Sequence, residues 1–533
     1  MRIHPAFRWL TIAGASFLMP APAGAGALEL TAIGYDRRID LTWHAPPDQP
    51  GLSYTVERAA TPEDAPFQPL SSGPQDYPVY SDYIGENDQS YRYRVKAWDS
   101  AQALVATSPS VTARTVALSD AALLSSIQHA TLRYFTDFAH PVSGLAREGL
   151  GHHRDIVTSG GSGFGVMAIL VGVERGFLTR DQARTQILRM TRFLQDTCTR
   201  YHGMWAHWIN GETGQTIPFS PKDNGGDIVE SSYLMQGLLC ARQFFDDATD
   251  PQETELRDRI TQLWHDMEWT WYLSEPEGGA LYWHWSPEFG WEMNHLIRGF
   301  NECMITYLLA IASPTHPIPA DSYRSGWVHD PERYKSGKDF YGIRQFVGPP
   351  LGGPLFFTHY SYLGIDPKRI NDPFCNYFEN NRNITRIHRA YCIDNPNGFK
   401  GYGPGAWGLT ASLNPDGYKA HAPTLDDGTI APTAALSAMP YTPEESLEAC
   451  RHMYDALGDR IWGPFGFYDA FNLQRAWVSD SYLAIDQGPI VIMIENHRTG
   501  MLWRLLEKDP QIAKLLDTFA APDRGHSLWE VLP

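Results

Sequence analysis

Met293-Asn-His295-Leu-Ile-Arg298-Gly-Phe-Asn-Glu302-Cys-Met-Ile305-Thr-Tyr-Leu-Leu309-Ala-Ile-Ala312 reads as one helix. Counted by turns, His295, Arg298 and Glu302 share a face that continues as Ile305 and Leu309. The first half of that stripe is polar and the second apolar. A helix polar at only one end of its inward face fits a barrel whose cavity opens at that end. An ion pair between Arg298 and Glu302 explains the same polarity, and the two readings are compatible, because an arginine can orient an acid.

Outward from this helix, a 3.6-residue period runs from about Leu118. Helices are expected over Asp120–Phe138, Ser162–Glu174, Thr179–Cys198, Asp227–Phe245, Glu253–Trp271, Asp372–Arg389, Pro443–Leu457, Ala476–Ala484, Pro489–Asn496 and Gly500–Leu506. Shorter stretches near Phe356–Tyr362 and Thr433–Ala438 bring the set to about twelve. Long loops rich in Gly, Pro and Trp alternate with the helices, and no fixed repeat of solenoid length is present. About twelve helices over some 400 residues fit a toroid of paired helices, an (α/α)6 barrel, with inner helix ends and loops meeting around one cavity.

Before this region the period is two. Ile39-Asp-Leu-Thr-Trp43, Tyr54-Thr-Val-Glu57 and Tyr91-Arg-Tyr-Arg-Val-Lys-Ala97 alternate apolar and polar residues between Pro/Gly/Asp/Ser-rich turns. Residues 28–116 are therefore expected to form a small β-sandwich. Trp43 and the Tyr-x-Tyr-x-Val run resemble a fibronectin type III domain, whose expected role is spacing or packing. Residues 1–27 carry Arg2 and Arg8, an apolar stretch from Trp9 to Met19 and a small-residue tail, the pattern of an export signal cleaved after Ala25 or Ala27. That stretch is short of the ~20 residues a membrane span needs, and no later segment reaches that length uninterrupted. The expected organisation is a signal segment (1–27), a sandwich (28–116) and a helical catalytic domain (117–533), in a periplasmic or extracellular protein with no membrane span after cleavage.

The chain has 533 residues, too many for one compact core. Its 61 acidic and 43 basic residues leave a charge of −18, which disfavours nucleic acid and anionic lipid as partners. Aromatic residues make up 13%, including 17 Trp and 26 Tyr, more large rings than a core requires. Cysteines 198, 240, 303, 375, 392 and 450 lack zinc-ligand or CxxC spacing; export permits disulfides, Cys375 and Cys392 being nearest in sequence, and buried thiols fit equally well. No phosphate-binding loop, GxSxG elbow or HExxH is present. No cofactor, metal or obligate protein partner is expected.

Carboxylates beside rings stand out instead. Asp227 and Glu230 are three apart at a helix start, which a capping box explains, yet Asp223 just upstream makes an acidic rim of the segment. Asp469 lies in an aromatic, glycine-rich loop, and Asp486 precedes an apolar helical run, where capping also accounts for it. Asp137, Arg147 and Glu148 form a further polar cluster, explained by surface salt bridging. The rings are Trp205, Trp208, Trp283, Trp285, Tyr402, Trp407, Trp462 and Tyr468, with His207 among them. Flat rings stack on the C–H faces of sugars while acids bind the hydroxyls. The combination points to glycoside hydrolysis, in which one acid protonates the leaving oxygen and another activates water. Glu302, beside Ile305 and Leu309, is placed to have its pKa raised by desolvation.

Several motifs carry a family resemblance. They are Tyr134-Phe-x-Asp-Phe-x-His-Pro-Val-Ser-Gly-Leu-Ala-Arg-Glu148, Asp227-x-Val-Glu230, Leu234-Met-Gln-Gly-Leu-Leu239, Asn301-Glu302 and Trp407-Gly-Leu-Thr-Ala-Ser412. Gly428-Thr-Ile-Ala-Pro-Thr-Ala-Ala435, Phe467-Tyr-Asp-Ala-Phe471, Ile485-Asp-Gln-Gly-Pro-Ile490 and Glu495-Asn496 continue the series. Over about Ala121 to Leu506 the chain resembles the bacterial glycoamylase domain of glycoside hydrolase family 144, the endo-β-1,2-glucanase group. The resemblance implies an (α/α)6 barrel, no metal, and anomeric inversion on β-1,2-linked glucan. It implies Glu302 as general acid, Asp486 ahead of Asp469 on the water side, and Glu230 among the catalytic acids. Asp137, Asp223, Asp227, Arg298 and the rings above are expected to bind the glucan. Leu413, after Thr-Ala-Ser, stands where the family often has an acid, and Gly405-Ala406 where a more polar pair is expected. Two other classes compete: a polysaccharide lyase on the same toroid and a non-catalytic glucan-binding accessory protein.

Overall fold

The computed structural model describes residues 28–44, 51–61, 63–71 and 73–519. The expected export signal, 1–27, lies outside them. Among the described residues, contacts form a smaller unit (28–33, 41–79 and 90–113) and a larger one (34–40, 80–89 and 114–519).

The N-terminal region is sheet-rich. One sheet runs in the order Gln68–Pro69, Ser53–Ala60, Ser90–Trp98, Leu104–Thr107, with Val111–Arg114 also paired to Ser90–Trp98. The alternation read in the sequence decides which side chains turn inward: Leu41, Trp43, Tyr54, Val56, Tyr93, Val95 and Ala97 are buried. Trp43 meets Tyr54 edge-on, with centroids 5.4 Å apart.

The larger unit is helix-rich. Its main helices are α1 (Asp120–Thr136), α2 (Ser159–Glu174), α3 (Arg180–Asp196), α4 (Ile228–Phe244), α5 (Pro251–His265), α6 (Met304–Ala312), α7 (Tyr377–Asp394), α8 (Pro443–Ile461), α9 (Ala484–Arg498), α10 (Met501–Glu507) and α11 (Pro510–Phe519). α2 is buried from Ser159 to Gly172, α4 from Ile228 to Ala241, and α9 from Asp486 to Asn496. Helices apolar on every side belong in an interior. α3 and α5 bury only one face, through Ile187, Leu188, Phe193 and Leu194 and through Leu256, Ile260 and Leu263. A capping box of Thr179 and Gln182 starts α3, and Asp250 caps α5 with Pro251 at its first position. Among the described residues no helix is long and apolar enough to cross a membrane.

α2 and α4 pack with their backbones nearly touching. A Cβ on Gly163 would lie 2.1 Å from the Tyr233 carbonyl oxygen, and one on Gly237 2.1 Å from that of Gly163. Only glycine at both positions allows this approach.

Several boundaries differ from expectation. The helix expected over Met293–Ala312 begins only at Met304. Asn294 and Gly299 have positive φ (46° and 78°), and Leu296–Ile297 pairs as a strand with Leu281–Tyr282. Ala476–Ala484 is not a helix either: Ala476 has φ 51°, and Trp477–Val478 pairs with Phe471–Asn472. α9 starts at Ala484, ahead of Pro489, whose ring sits inside its second turn. α7 begins at Tyr377 rather than near Asp372, because Asn376 caps it through the Glu379 N–H. All six cysteines are free, so the pair at 375 and 392 is not bridged.

Gly163→Ala is expected to cost about 2 kcal/mol or more through overpacking, read as a lower urea midpoint. An unchanged midpoint would show that α2 and α4 do not need this approach.

Candidate active site

The site begins at the start of α4. Asp227 is its N-cap, and its Oδ1 accepts the N–H groups of Val229 and Glu230, both at 2.9 Å. Its Oδ2 accepts Trp283 Nε1 at 3.2 Å. Gly226–Asp227 pairs antiparallel with His284–Trp285, bringing His284 opposite Asp227. The capping and functional readings of Asp227 thus hold together. Glu230 points toward the start of α2, where Oε2 accepts the Gly160 N–H at 3.0 Å. That N–H is one of the donors a helix start leaves unpaired.

Glu302 stands in the turn just before α6. Its carbonyl oxygen accepts the hydroxyls of Tyr233 (3.3 Å) and Ser361, and Asn301 Oδ1 accepts the next N–H, that of Cys303, at 2.8 Å. Held this way, the Glu302 side chain enters a pocket of ≈ 330 Å³. Glu148, His207, Trp208, Phe219, Glu230, Tyr233, Trp283, Tyr360, Leu413 and Tyr418 line it with Glu302. Phe219 stacks on His207 with centroids 4.2 Å apart and meets Trp208 edge-on at 4.8 Å.

Behind Tyr360 and Leu413 lie Asp469 and Asp486, each 3% exposed. Asp469 Oδ2 accepts the Leu413 N–H at 2.7 Å, and Asp486 Oδ1 accepts the Tyr360 hydroxyl at 3.2 Å. Asp486 therefore does not cap α9. Among the described residues, the remaining oxygens, Asp469 Oδ1 and Asp486 Oδ2, have no donor beyond the pair itself. The two carboxyls interact directly, an arrangement that accommodates one shared proton.

The acids are driven apart electrostatically. Burial pushes Glu302 up to about 7. Burial likewise raises Glu230 to about 7, with His207 opposing the rise. Burial, then the charge of Asp469, lifts Asp486 far above the usual carboxylate range, and burial raises Asp469 to about 6. Asp227 goes the other way: burial would raise it, but His207 and His284 hold it well below the ordinary value. Burial would lower His207, yet Glu230 and Asp227 outweigh it and raise it to about 10. His284 rises to about 9 against burial, through Asp223 and Asp227.

The structure brings Glu302, Glu230, His207, Trp208 and Trp283 to one pocket, with Asp227, Asp469 and Asp486 one layer behind. Asp223 is 5% exposed and touches His284. The remaining sequence candidates lie elsewhere. Trp205 and Trp407 are fully buried core residues; Trp462 packs on Phe467 and Tyr454; Trp285 meets Trp271 and His202. Tyr402 donates to Asp426 at 2.7 Å, Tyr468 packs on Tyr482, and Asp137 is exposed at the end of α1. Arg298 does not share a helical face with Glu302, since no helix spans them; it pairs with Glu277 at 3.1 Å. Glu148, assigned to surface salt bridging, lines the pocket instead. Phe219, Tyr233, Tyr360 and Tyr418 went unrecognised. The signal for Tyr233 was its place one turn beyond Glu230 in α4; Phe219 lies on a loop, Tyr360 in a three-residue turn and Tyr418 in the short strand Gly417–Ala420, stretches too brief for a period to mark an inward side.

Paired carboxyls with separated proton affinities, in a ring-walled pocket at the starts of buried helices, define a glycoside hydrolase. A profile for the Glycoamylase family matches residues 294–510. The chain is 42% identical over 502 residues to the exo β-1,2-glucooligosaccharide sophorohydrolase (non-reducing end) of Parabacteroides distasonis, covering 91% of this chain and 69% of that protein. The chain belongs to the glycoamylase-like family, glycoside hydrolase family 144. The crystal structure of β-1,2-glucanase from P. distasonis superposes with a TM-score of 0.87 at 42% identity, over 92% of this chain and 72% of that one. The endo-β-1,2-glucanase of Chitinophaga pinensis, in complex with sophorotriose and glucose, gives a TM-score of 0.72 at 48% identity, over 75% and 98%.

Because Glu302 is harder to ionise folded than unfolded, its burden on stability is absent below about pH 4.5 and complete above about pH 7. Glu302→Gln is therefore expected to be more stable than the native protein at pH 8, by on the order of 3 kcal/mol at most, read as a higher unfolding midpoint, and to match it near pH 4. Equal midpoints at pH 8 would contradict the raised pKa.

Proposed function

We propose that this protein hydrolyses β-1,2-linked glucan with inversion at the anomeric carbon. The observation that carries the reading is the place of Glu302: it lines a pocket walled by rings, where desolvation raises its pKa to about 7. Glu302 gives its proton to the leaving glycosidic oxygen. Water attacks the anomeric carbon as that C–O bond breaks, and its proton passes to the Asp469–Asp486 pair, which carries one negative charge between two carboxyls. Within the pair, the Tyr360 hydroxyl orients Asp486 and the Leu413 N–H orients Asp469. Glu230 and Glu148 add carboxyls for sugar hydroxyls, and His207, Trp208, Phe219 and Trp283 supply stacking faces. Identities of 42% and 48% to enzymes named for β-1,2-glucan support the linkage. An (α/α)6 arrangement, a fibronectin type III-like N-terminal sandwich and export through residues 1–27 belong to the same reading, supported by the buried-helix pattern and the sequence of the first segment.

Purified protein incubated with linear β-1,2-glucan and with sophoro-oligosaccharides is expected to release reducing ends. Early sophorose as the sole product would mark exo action, and a ladder of oligosaccharides endo action. kcat/KM should fall as pH rises above about 7, and Glu302→Gln should lower kcat by about 10²–10⁴-fold with KM little changed. No release by the folded protein, unsaturated products, or full activity in Glu302→Gln would sink the proposal.

A further inference from the structure

Asp469 and Asp486 are each 3% exposed and neither lines the pocket, so a water inside it is separated from the acids that take its proton. Leu483 and Ile485 reach the cavity, while Asp486, next along the chain, stays behind its wall. Two residues touch both the cavity and the acid pair. Leu413 does so through its backbone N–H, donated to Asp469 Oδ2 at 2.7 Å, and an amide holds its proton too firmly to pass it on. Tyr360 does so through its hydroxyl, donated to Asp486 Oδ1 at 3.2 Å. A hydroxyl donates and accepts at once, so it can take a proton from one side while giving its own to the other. Its position is fixed. The Tyr360 ring packs against Phe356, Phe164 and Tyr233, with centroids 5.1, 5.2 and 5.8 Å away, and its carbonyl accepts Gln236 Nε2 at 3.2 Å.

We propose that Tyr360 is a further catalytic residue, the relay that carries the proton of the attacking water through Asp486 to Asp469. The relay rests on the proposed hydrolysis and adds to it a route and a final acceptor. Beyond Tyr360, Asp486 Oδ2 and Asp469 Oδ1 have no donor but the pair itself among the described residues, so they share one proton. Burial and the charge of Asp469 lift Asp486 far above the usual carboxylate range, whereas Asp469 rises only to about 6. The shared proton therefore resides on Asp486 and the negative charge on Asp469. In the reaction, the water oxygen bonds to the anomeric carbon as the glycosidic C–O bond breaks, and the leaving oxygen keeps that electron pair and takes the proton of Glu302. The water proton moves to the Tyr360 hydroxyl oxygen, the tyrosine's own proton to Asp486 Oδ1, and the shared proton from Asp486 Oδ2 to Asp469 Oδ1. Tyrosine ends neutral, the pair goes from one negative charge to none, and Glu302 ends as a carboxylate, so total charge is unchanged.

The test measures cleavage of linear β-1,2-glucan by the full-length protein and by Tyr360→Phe, Asp469→Asn and the double variant. Tyr360→Phe removes one oxygen and keeps the packed ring; its kcat should fall by about 10²–10⁴-fold with KM within about threefold of native. Because both groups lie on one route, the double variant should be no more than about threefold slower than the slower single variant. Azide attacks carbon without releasing a proton and so bypasses the relay. Sodium azide should therefore speed both single variants by about tenfold or more, leaving a glycosyl azide of α configuration, and should do nothing for Glu302→Gln, which lacks the proton for the leaving oxygen. A side chain that merely supports the fold would give neither the non-additive double variant nor the azide product. Tyr360→Phe retaining native kcat, losses that multiply in the double variant, or no azide product from Tyr360→Phe would each overturn the relay while hydrolysis by the native protein stands. A native protein that cleaves no glucan would overturn the hydrolase reading, and the relay with it. Should Asp469→Asn fail to fold, the kcat of Tyr360→Phe and its azide product decide.

Discussion

The approach of α2 to α4 at Gly163 and Gly237 is the constraint on which the pocket depends. It sets the starts of the two helices side by side, so that the Gly160 N–H of one meets the Glu230 carboxylate of the other at 3.0 Å. A Cβ at position 160 would fall 2.1 Å from that carboxylate oxygen, so the contact is made by backbone and acid with nothing between. α9 joins the pair from another side and brings Asp486 into its own first turn. Functional acids therefore sit in the first turns of two inner helices, where the partial positive charge of a helix start tempers the cost of burying them.

Charge at the pocket is arranged by contrast rather than by amount. The whole chain carries −18, yet burial works to keep protons on Glu302, Glu230 and Asp486. Asp227 stays ionised between two imidazolium rings. An aspartate one helical turn from a glutamate thus has the opposite protonation tendency. The difference lies in what each faces. Asp227 has two backbone N–H groups, an indole and two imidazoles, whereas Glu230 has the Gly160 N–H and His207 set against its burial and the charges of Asp227 and Glu148. Such divergence between neighbouring carboxyls is what acid–base chemistry at neutral pH requires.

Much of this was legible in the residues and some was not. The long periodic helices, the cap at Asp227 and the pocket position of Glu302 followed from spacing and from family-like motifs. The helix through Met293–Cys303 did not, because Leu296 and Ile297 fit an apolar helical stripe as well as they fit the strand they form with Leu281–Tyr282. Periodicity cannot separate the two over so short a run; Gly299 was the local sign of the break. Ring content was a fair guide to ligand binding but a poor guide to which rings: Trp205 and Trp407 fill the core, while Phe219, Tyr360 and Tyr418 reach the pocket from a loop, a three-residue turn and a four-residue strand. Glu148 was hidden for the same reason, its inward turn being set by strand-like contacts with Ile156 and Ala484 that no local pattern announces.

The six unbridged cysteines have a practical meaning. Four of them are wholly enclosed, and burial raises every one of the six above the ordinary thiol range, so each stays a poor nucleophile toward oxidants and alkylating reagents. The fold owes nothing to sulfur oxidation. Maturation then needs no thiol-oxidising catalyst, and the same native architecture is accessible in a glutathione-rich cytosol and in an oxidising envelope.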